Sequence, residues 1–173
     1  MNEILTSTIE SPIGPLTLIA RDGVLTSVSM HEQRHTSPPP EEAVSDDAWF
    51  KDVAAQLDAY FAGELSSFDL EMSLLGTPFQ RNVWTQLREI PYGETISYGE
   101  LAQRVGNPNA ARAVGLANGR NPIAIIVPCH RVIGANGSLV GYGGGLERKT
   151  WLLEHEVKNR SQFSSARGEL RDP

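Results

Sequence analysis

Residues 118–134 read NGRNPIAIIVPCHRVIG. Asn121 and Pro122 mark a turn, Ile123 to Val127 form an apolar, β-branched run, and Pro128 bends the chain just before Cys129. This pattern predicts a buried strand that delivers Cys129 to the bend, with His130 directly behind it. Cys129 is the single cysteine in 173 residues. One cysteine cannot form an internal disulfide, which fits a reducing, cytoplasmic setting and leaves a free thiol to explain.

A free cysteine is more often a small buried hydrophobe than a nucleophile. An adjacent histidine shifts that balance. Near its ordinary pKa of about 8.5, little of a thiol is ionised at neutral pH, and an imidazole that takes the proton removes the limit. A third group, usually a carboxylate, then orients the imidazole. Glu154, His155 and Glu156 are candidates for it. Downstream, GYGGG (141–145) is flexible enough to close over a bound group.

Ahead of this stretch the chain is helical and well capped. Thr77 is an N-cap, Pro78 opens the helix and Gln80 closes a capping box, with Phe79, Val83, Trp84, Leu87 and Ile90 at helical spacing. Ser97 and Glu100 form a second box at the start of SYGELAQRV. GNPN turns the chain into AARAVGLANG, so the order is short helix, turn, short helix, a helix-turn-helix pattern. Such pairs often pack inside a core and touch no DNA. The second helix carries Ala111, Ala113 and Gly115, with Arg112 as its prominent long side chain. Helices that read bases present several Arg, Asn or Gln side chains. A nearly bare face instead suits close, sequence-independent docking in a narrow groove, or simply close packing of two helices. A last helix, ERKTWLLEHEV, precedes KNRSQFSSARGELRDP, a polar tail expected to lack order.

The first half differs. ILTSTIES, GPLTLIAR and GVLTSVSM alternate and break at SPIGP and DG, so they predict antiparallel strands. HEQRHTSPPPEEAVSDD predicts an exposed loop, DAWFKDVAAQLDAYFAGE an amphipathic helix stopped by Gly63, and FDLEMSL a further alternating segment. The organisation expected is an α/β unit over 1–75, a mainly helical unit over 76–156 and a tail over 157–173. Residues 1–76 hold 3 basic and 13 acidic side chains, whereas 77–156 hold 8 and 6. An acidic first half joined to a mildly basic second half makes a sign-asymmetric chain, which also fits two differently solvated faces. Neither a secretory signal nor a membrane span is expected.

PCHRVIG, preceded by ISYGELA, ARAVG and NP and followed by GYGGGLERKTWLLEHE, resembles the O6-alkylguanine-DNA alkyltransferase family, the methylated-DNA–protein-cysteine methyltransferases. The likeness is dense over about residues 76–156. It implies a ribonuclease-H-like α/β first domain that acts as scaffold and a second domain with a winged helix-turn-helix. It implies direct repair: Cys129 attacks the alkyl carbon on guanine O6 of a base flipped out of duplex DNA, and keeps the group. In the same reading His130 takes the thiol proton through a water, Glu156 holds the imidazole and Asn121 braces the turn. Tyr98 stabilises the departing guanine, and Arg112 fills the gap in the stack. Ala111, Ala113 and Gly115 would face the DNA, sequence-independently and in the minor groove. Tyr142, Gly143 and Val132 would line the base pocket. Ala124 stands where some members have proline, which puts the tolerance for bulky adducts in question. No cofactor is implied, and no metal: some members bind zinc in the first half, but here it has no cysteine, and His31 and His35 have no partners. The protein would be a monomer free in solution. A Cys-His-Glu hydrolase and a non-catalytic DNA-binding regulator compete with this reading, but each uses only one of the two features, the thiol or the helix pair.

Overall fold

The computed structural model describes residues 3–139 and 141–171. The three alternating runs form β1 (Ile4–Ile9), β2 (Leu16–Arg21) and β3 (Val24–Met30), paired antiparallel in sequence order. Asp22 and Gly23 connect β2 to β3 with φ of 50° and 83°, the left-handed pair that a two-residue hairpin turn demands. The proline-rich stretch is not loop throughout. Val44–Ser45 forms β4, which adds in parallel to β1, so the sheet order is β3-β2-β1-β4. FDLEMSL forms no strand of its own; it makes one bridge, Met72 to Leu25 on the outer edge of β3. Helix α1 (Lys51–Phe61) buries Val53, Leu57 and Tyr60, and Gly63 with φ of 77° follows its end.

In the second half, α2 (Pro78–Leu87) has the expected reciprocal capping box between Thr77 and Gln80. After β5 (Ile96–Ser97), α3 (Tyr98–Arg104) is capped by the Ser97 side chain, which accepts from the Glu100 N–H. Helix α4 (Ala111–Gly119) completes the helix-turn-helix pair, and Trp84 of α2 donates from Nε1 to the Ala117 carbonyl at 2.8 Å. Residues Val132–Ile133 form β6, parallel to β5.

Two larger expectations also fail. Residues 123–127 are not a strand. Ile125 has φ of 73°, a left-handed conformation that β-branched residues seldom adopt, and the segment is a buried turn. An apolar run records burial, and periodicity cannot separate a short strand from a buried turn. What stands in for a strand neighbour is the Asn121 amide: it accepts from the Ile123 N–H (3.0 Å) and donates to the Val127 carbonyl (2.8 Å). The segment also leans on β3, with the Val28 N–H bonded to the Pro122 carbonyl and the Ala124 N–H to the Val28 carbonyl, each at 3.0 Å. The first domain thus supports the cysteine segment directly.

The tail is the second correction. Helix α5 runs from Leu146 to Arg171, through residues 157–171 that were expected to lack order. The polar composition hid a docking face. Phe163 packs edge-on against Tyr92 with centroids 5.0 Å apart, and Arg160 Nη1 donates to the Gly93 carbonyl at 3.4 Å. Residues 172–173 lie outside the described residues. One apolar core runs through both halves, and no described helix is long and apolar enough to cross a membrane.

Candidate active site

The turn at 121–128 ends in a 3-10 turn, Cys129–Arg131, that carries three functional side chains into the protein. Cys129 is 6% exposed and His130 fully buried. Beneath them α5 presents Lys149, Leu152 and Glu156, three buried residues at helical spacing on one face. Residue pattern alone left the third group open between Glu154, His155 and Glu156, and the family resemblance implied Glu156; Glu156 is the one that meets the His130 ring. Glu154 is exposed, and His155 turns its Nε2 to the Tyr60 carbonyl, 2.7 Å away.

The Glu156 carboxylate collects five hydrogen bonds. Its Oε2 accepts from His130 Nε2 (2.7 Å), Tyr60 Oη (2.6 Å) and Arg131 Nη2 (3.0 Å). Its Oε1 accepts from Arg131 Nε (2.8 Å) and the Gly93 N–H (3.2 Å). Burial works against ionisation, but His130 and the Arg131 guanidinium outweigh it and hold the carboxyl far below the usual carboxylate range. An ionised carboxylate can only accept, so His130 must carry its proton on Nε2. That leaves Nδ1 as a lone pair, and it has no hydrogen-bond partner among the described residues. Burial lowers the pKa of His130, with Glu156 pulling the other way. The imidazole is therefore a neutral base, oriented by Glu156 and open at Nδ1.

Burial also raises the Cys129 thiol above its ordinary pKa, partly offset by Asn121 and by the charge of Lys149. The thiol is held neutral until something draws its proton away. Lys149 was not singled out from sequence. Its Nζ donates to the Val132 carbonyl at 2.7 Å and lies 6.0 Å from the ring centroids of both Tyr98 and Tyr142. Burial depresses its pKa to about 8, and Cys129 pulls it back up. A lysine seven residues before Glu156, on the apolar stripe of the last helix, was the available signal. Tyr60, Arg131 and Asn118 were missed too, and nothing local to them in sequence marks their partners.

The other expected residues fall into two groups. Tyr98 and Tyr142 come to the thiol: burial raises both phenols, and the Cys129 charge adds to each shift. Val132 is fully buried and turns its carbonyl to Lys149. The Gly143 carbonyl accepts from the Arg34 N–H at 2.9 Å, tying the glycine-rich loop to the first domain. Ala124, expected in a pocket wall, is wholly buried behind the turn, against β3. On α4, Val114, Ala117 and Asn118 face inward, whereas Arg112 and Ala113 are exposed and Ala111 and Gly115 half-buried. A Cβ on Gly115 would sit 3.7 Å from the Tyr98 ring, ordinary contact, so the glycine is not forced by packing. Leu116 is 65% exposed on the same side, so the outer face is less bare than the small residues suggested. No group of His, Cys, Asp and Glu suited to a metal ion occurs among the described residues.

The arrangement is a buried thiol and a neutral base on adjacent residues of one turn, a carboxylate behind the base, and a helix tied to the same turn by Asn118. The family model described as 6-O-methylguanine DNA methyltransferase, DNA binding domain, matches residues 78–158, and the one for its ribonuclease-like domain matches residues 4–74. A methylated-DNA–protein-cysteine methyltransferase of Mycobacterium tuberculosis is 60% identical over 149 residues, 86% of this chain and 90% of that protein. One from Methanosarcina acetivorans is 54% identical over 147 residues, covering 85% and 94%. The crystal structure of the Mycobacterium tuberculosis protein in complex with DNA is similar with a TM-score of 0.84 and 58% identity, over 89% of this chain and 93% of that one.

Proposed function

The chain belongs to the 6-O-methylguanine DNA methyltransferase family, and from that premise we propose how its own residues carry the reaction. It is a DNA repair protein, a methylated-DNA–protein-cysteine methyltransferase that moves the alkyl group of O6-alkylguanine in DNA to its own cysteine. Cys129 is the sole thiol available. The observation that carries the assignment of roles is the open Nδ1 of a neutral His130, the residue next to Cys129 in the same short turn, backed by an ionised Glu156.

His130 Nδ1 receives the thiol proton through one bridging water, and the imidazolium so formed is stabilised by Glu156. The thiolate, next to the Lys149 ammonium, attacks the alkyl carbon. A C–S bond forms as the C–O bond breaks, and the electron pair leaves on guanine O6. Tyr98, whose phenol stays protonated, donates to the departing base, and Tyr142 closes the pocket with Gly143 and Val132. Asn121 keeps the turn in register. The product is a thioether, which has no electrophilic carbonyl for water to attack, so the cysteine is spent and turnover is single.

The target oxygen is buried in a duplex, so the base must be extruded, and a poorly pairing alkylated guanine is the easiest to extrude. Arg112 fills the vacated place, and Ala111, Ala113 and Gly115 let α4 approach the sugar-phosphate wall of the minor groove. With α3, α4 and the short β5–β6 pair, residues 76–156 read as a winged helix-turn-helix domain. Residues 1–75 form a scaffold with a ribonuclease-H-like fold, and the limits of the two family matches support this division. A monomer in the cytoplasm suits a reduced single thiol.

The test is the intact mass of the protein after mixing with a duplex carrying O6-methylguanine. The expected result is a gain of one methyl group on the Cys129 peptide, with repaired guanine stopping at about one equivalent per protein. Release that continues well past one equivalent overturns the assignment.

A further inference from the structure

A groove that the chemistry at Cys129 does not use lies between α4, the glycine-rich loop and the first domain. Leu116, Gly119 and Arg120 line it from α4 and its C-cap, Gly141 and Gly143 from the loop, and Arg34 and His35 from the first domain. A second groove adjoins the first. It shares His35 and Arg120 and continues past Thr36 and Ser37 to Arg21. Arg21, Arg34 and Arg120 are all exposed, and no carboxylate lines either groove among the described residues, although the chain carries 21 of them. Residues 1–76 hold only 3 basic side chains, and two of these, Arg21 and Arg34, stand here. Leu116, 65% exposed, adds an apolar contact among glycines, which allow another chain to come close. A single exposed leucine or arginine needs no explanation. Their convergence within an acidic domain, beside the helix that docks on DNA, does.

We propose that these grooves seat the sugar-phosphate backbone of the damaged strand next to the extruded nucleotide, so that the first domain binds DNA as well as supporting the cysteine segment. This rests on the alkyltransferase reading above. Cations beside a small apolar contact suit that ligand: the guanidinium groups meet phosphates and the leucine meets a deoxyribose. Leu116 follows Arg112 by one turn of α4, so a strand parted at Arg112 runs on past Leu116 to Arg120 and then toward Arg21. Arg34 has a second task, because its Nη2 donates to the Tyr142 carbonyl at 3.1 Å. Arg120 and Arg21 are the clean probes: no hydrogen bond or ion pair engages either side chain among the described residues.

The experiment titrates the full chain onto an undamaged duplex too short to hold two proteins, over a series of salt concentrations. Arg120→Gln should flatten the slope of log affinity against log salt by about 0.9, the share of one phosphate, and weaken binding about tenfold at ~0.1 M salt. Adding Arg21→Gln should remove about as much slope again. Leu116→Ala should weaken binding about fivefold with the slope unchanged, because it removes apolar contact and no charge. Alkyl transfer from a free O6-alkylguanine base should stay within about twofold of wild type in every variant, since a free base carries no phosphate. A salt slope unchanged in both Arg120→Gln and the double variant overturns the proposal. So does a free-base rate that falls in parallel with affinity, which would trace the loss to the fold. Failure of the wild type to take an alkyl group from either the free base or damaged DNA overturns the alkyltransferase reading instead.

Discussion

The two sides of the Cys129–Arg131 turn are built on opposite rules. On one side, Glu156 accepts from five donors supplied by α1, the loop before β5, and the turn itself. On the other, three buried polar atoms have no nitrogen or oxygen partner among the described residues: His130 Nδ1, Asn118 Oδ1 and Tyr142 Oη, the last facing the Cys129 sulfur. A saturated network is rigid and fixes the orientation and tautomer of its members. An unsaturated pocket stores the hydrogen-bonding capacity that a base and a proton acceptor require. The fourth unpaired group, Tyr92 Oη, lies near Arg131 on the saturated side, and the structure offers no account of it.

The sharpest way to break the comparison is to remove reactivity from the open side alone. Cys129→Ser should lower alkyl transfer by about a thousandfold or more, because a hydroxyl is far harder to ionise than a thiol. Affinity for undamaged duplex should change by less than about twofold, since phosphate contacts supply it. Stopped-flow repair assays and a salt titration of binding read the two quantities; comparable repair by the serine protein would remove Cys129 from its role.

Glu156→Gln attacks the saturated side. It strands the Arg131 charge in the interior, and loss of one partner of a buried pair typically destabilises by about 3–5 kcal/mol. Denaturant unfolding should show it. The sign with pH follows from the depressed carboxyl. Its contribution is fully present above the unfolded value of about 4.3 and is lost as pH falls below that toward the folded value. The wild type should therefore lose stability on acidification through that window, and Glu156→Gln should lose less of it. Parallel acid profiles would contradict the network.

Lys149 joins the two sides, and its effect should be smaller. With a pKa near 8 it loses its charge as pH climbs past that point, while His130, lowered by burial, is already neutral. Repair should be flat across neutral pH and bend downward above about 8. Lys149→Met should repair about tenfold more slowly at pH 7 and show no bend, the scale of one lost charge beside a thiolate. A bend that persists in the variant would assign it to another group.

The mildest change is Tyr60→Phe. Glu156 keeps four of its donors, so the loss should be near the low end for a charged hydrogen bond, about 1.5 kcal/mol, with little effect on repair. A rate loss above about tenfold at unchanged stability would show that the first domain tunes the chemistry as well as supporting it.

Much of this was legible in the chain, for identifiable reasons. Three of the four strands of the main sheet, the boxed helix at Thr77 and the helix pair around GNPN were readable because alternation, capping and turn chemistry are local. PCHR beside GYGGG pointed to the nucleophile and its base because those groups are neighbours in sequence. The segment 123–127 and the tail were misread because an apolar run and a polar run report burial and solvation, not backbone conformation. Which of Glu154, His155 and Glu156 meets His130 depends on the rotation of α5, set by packing two distant halves into one core. Tertiary structure alone brought Tyr60 and Glu156 together across 96 positions, and it alone left Asn118 Oδ1 buried with no donor among the described residues. Partners so far apart leave no local pattern, since only the closed core determines what each buried polar atom meets.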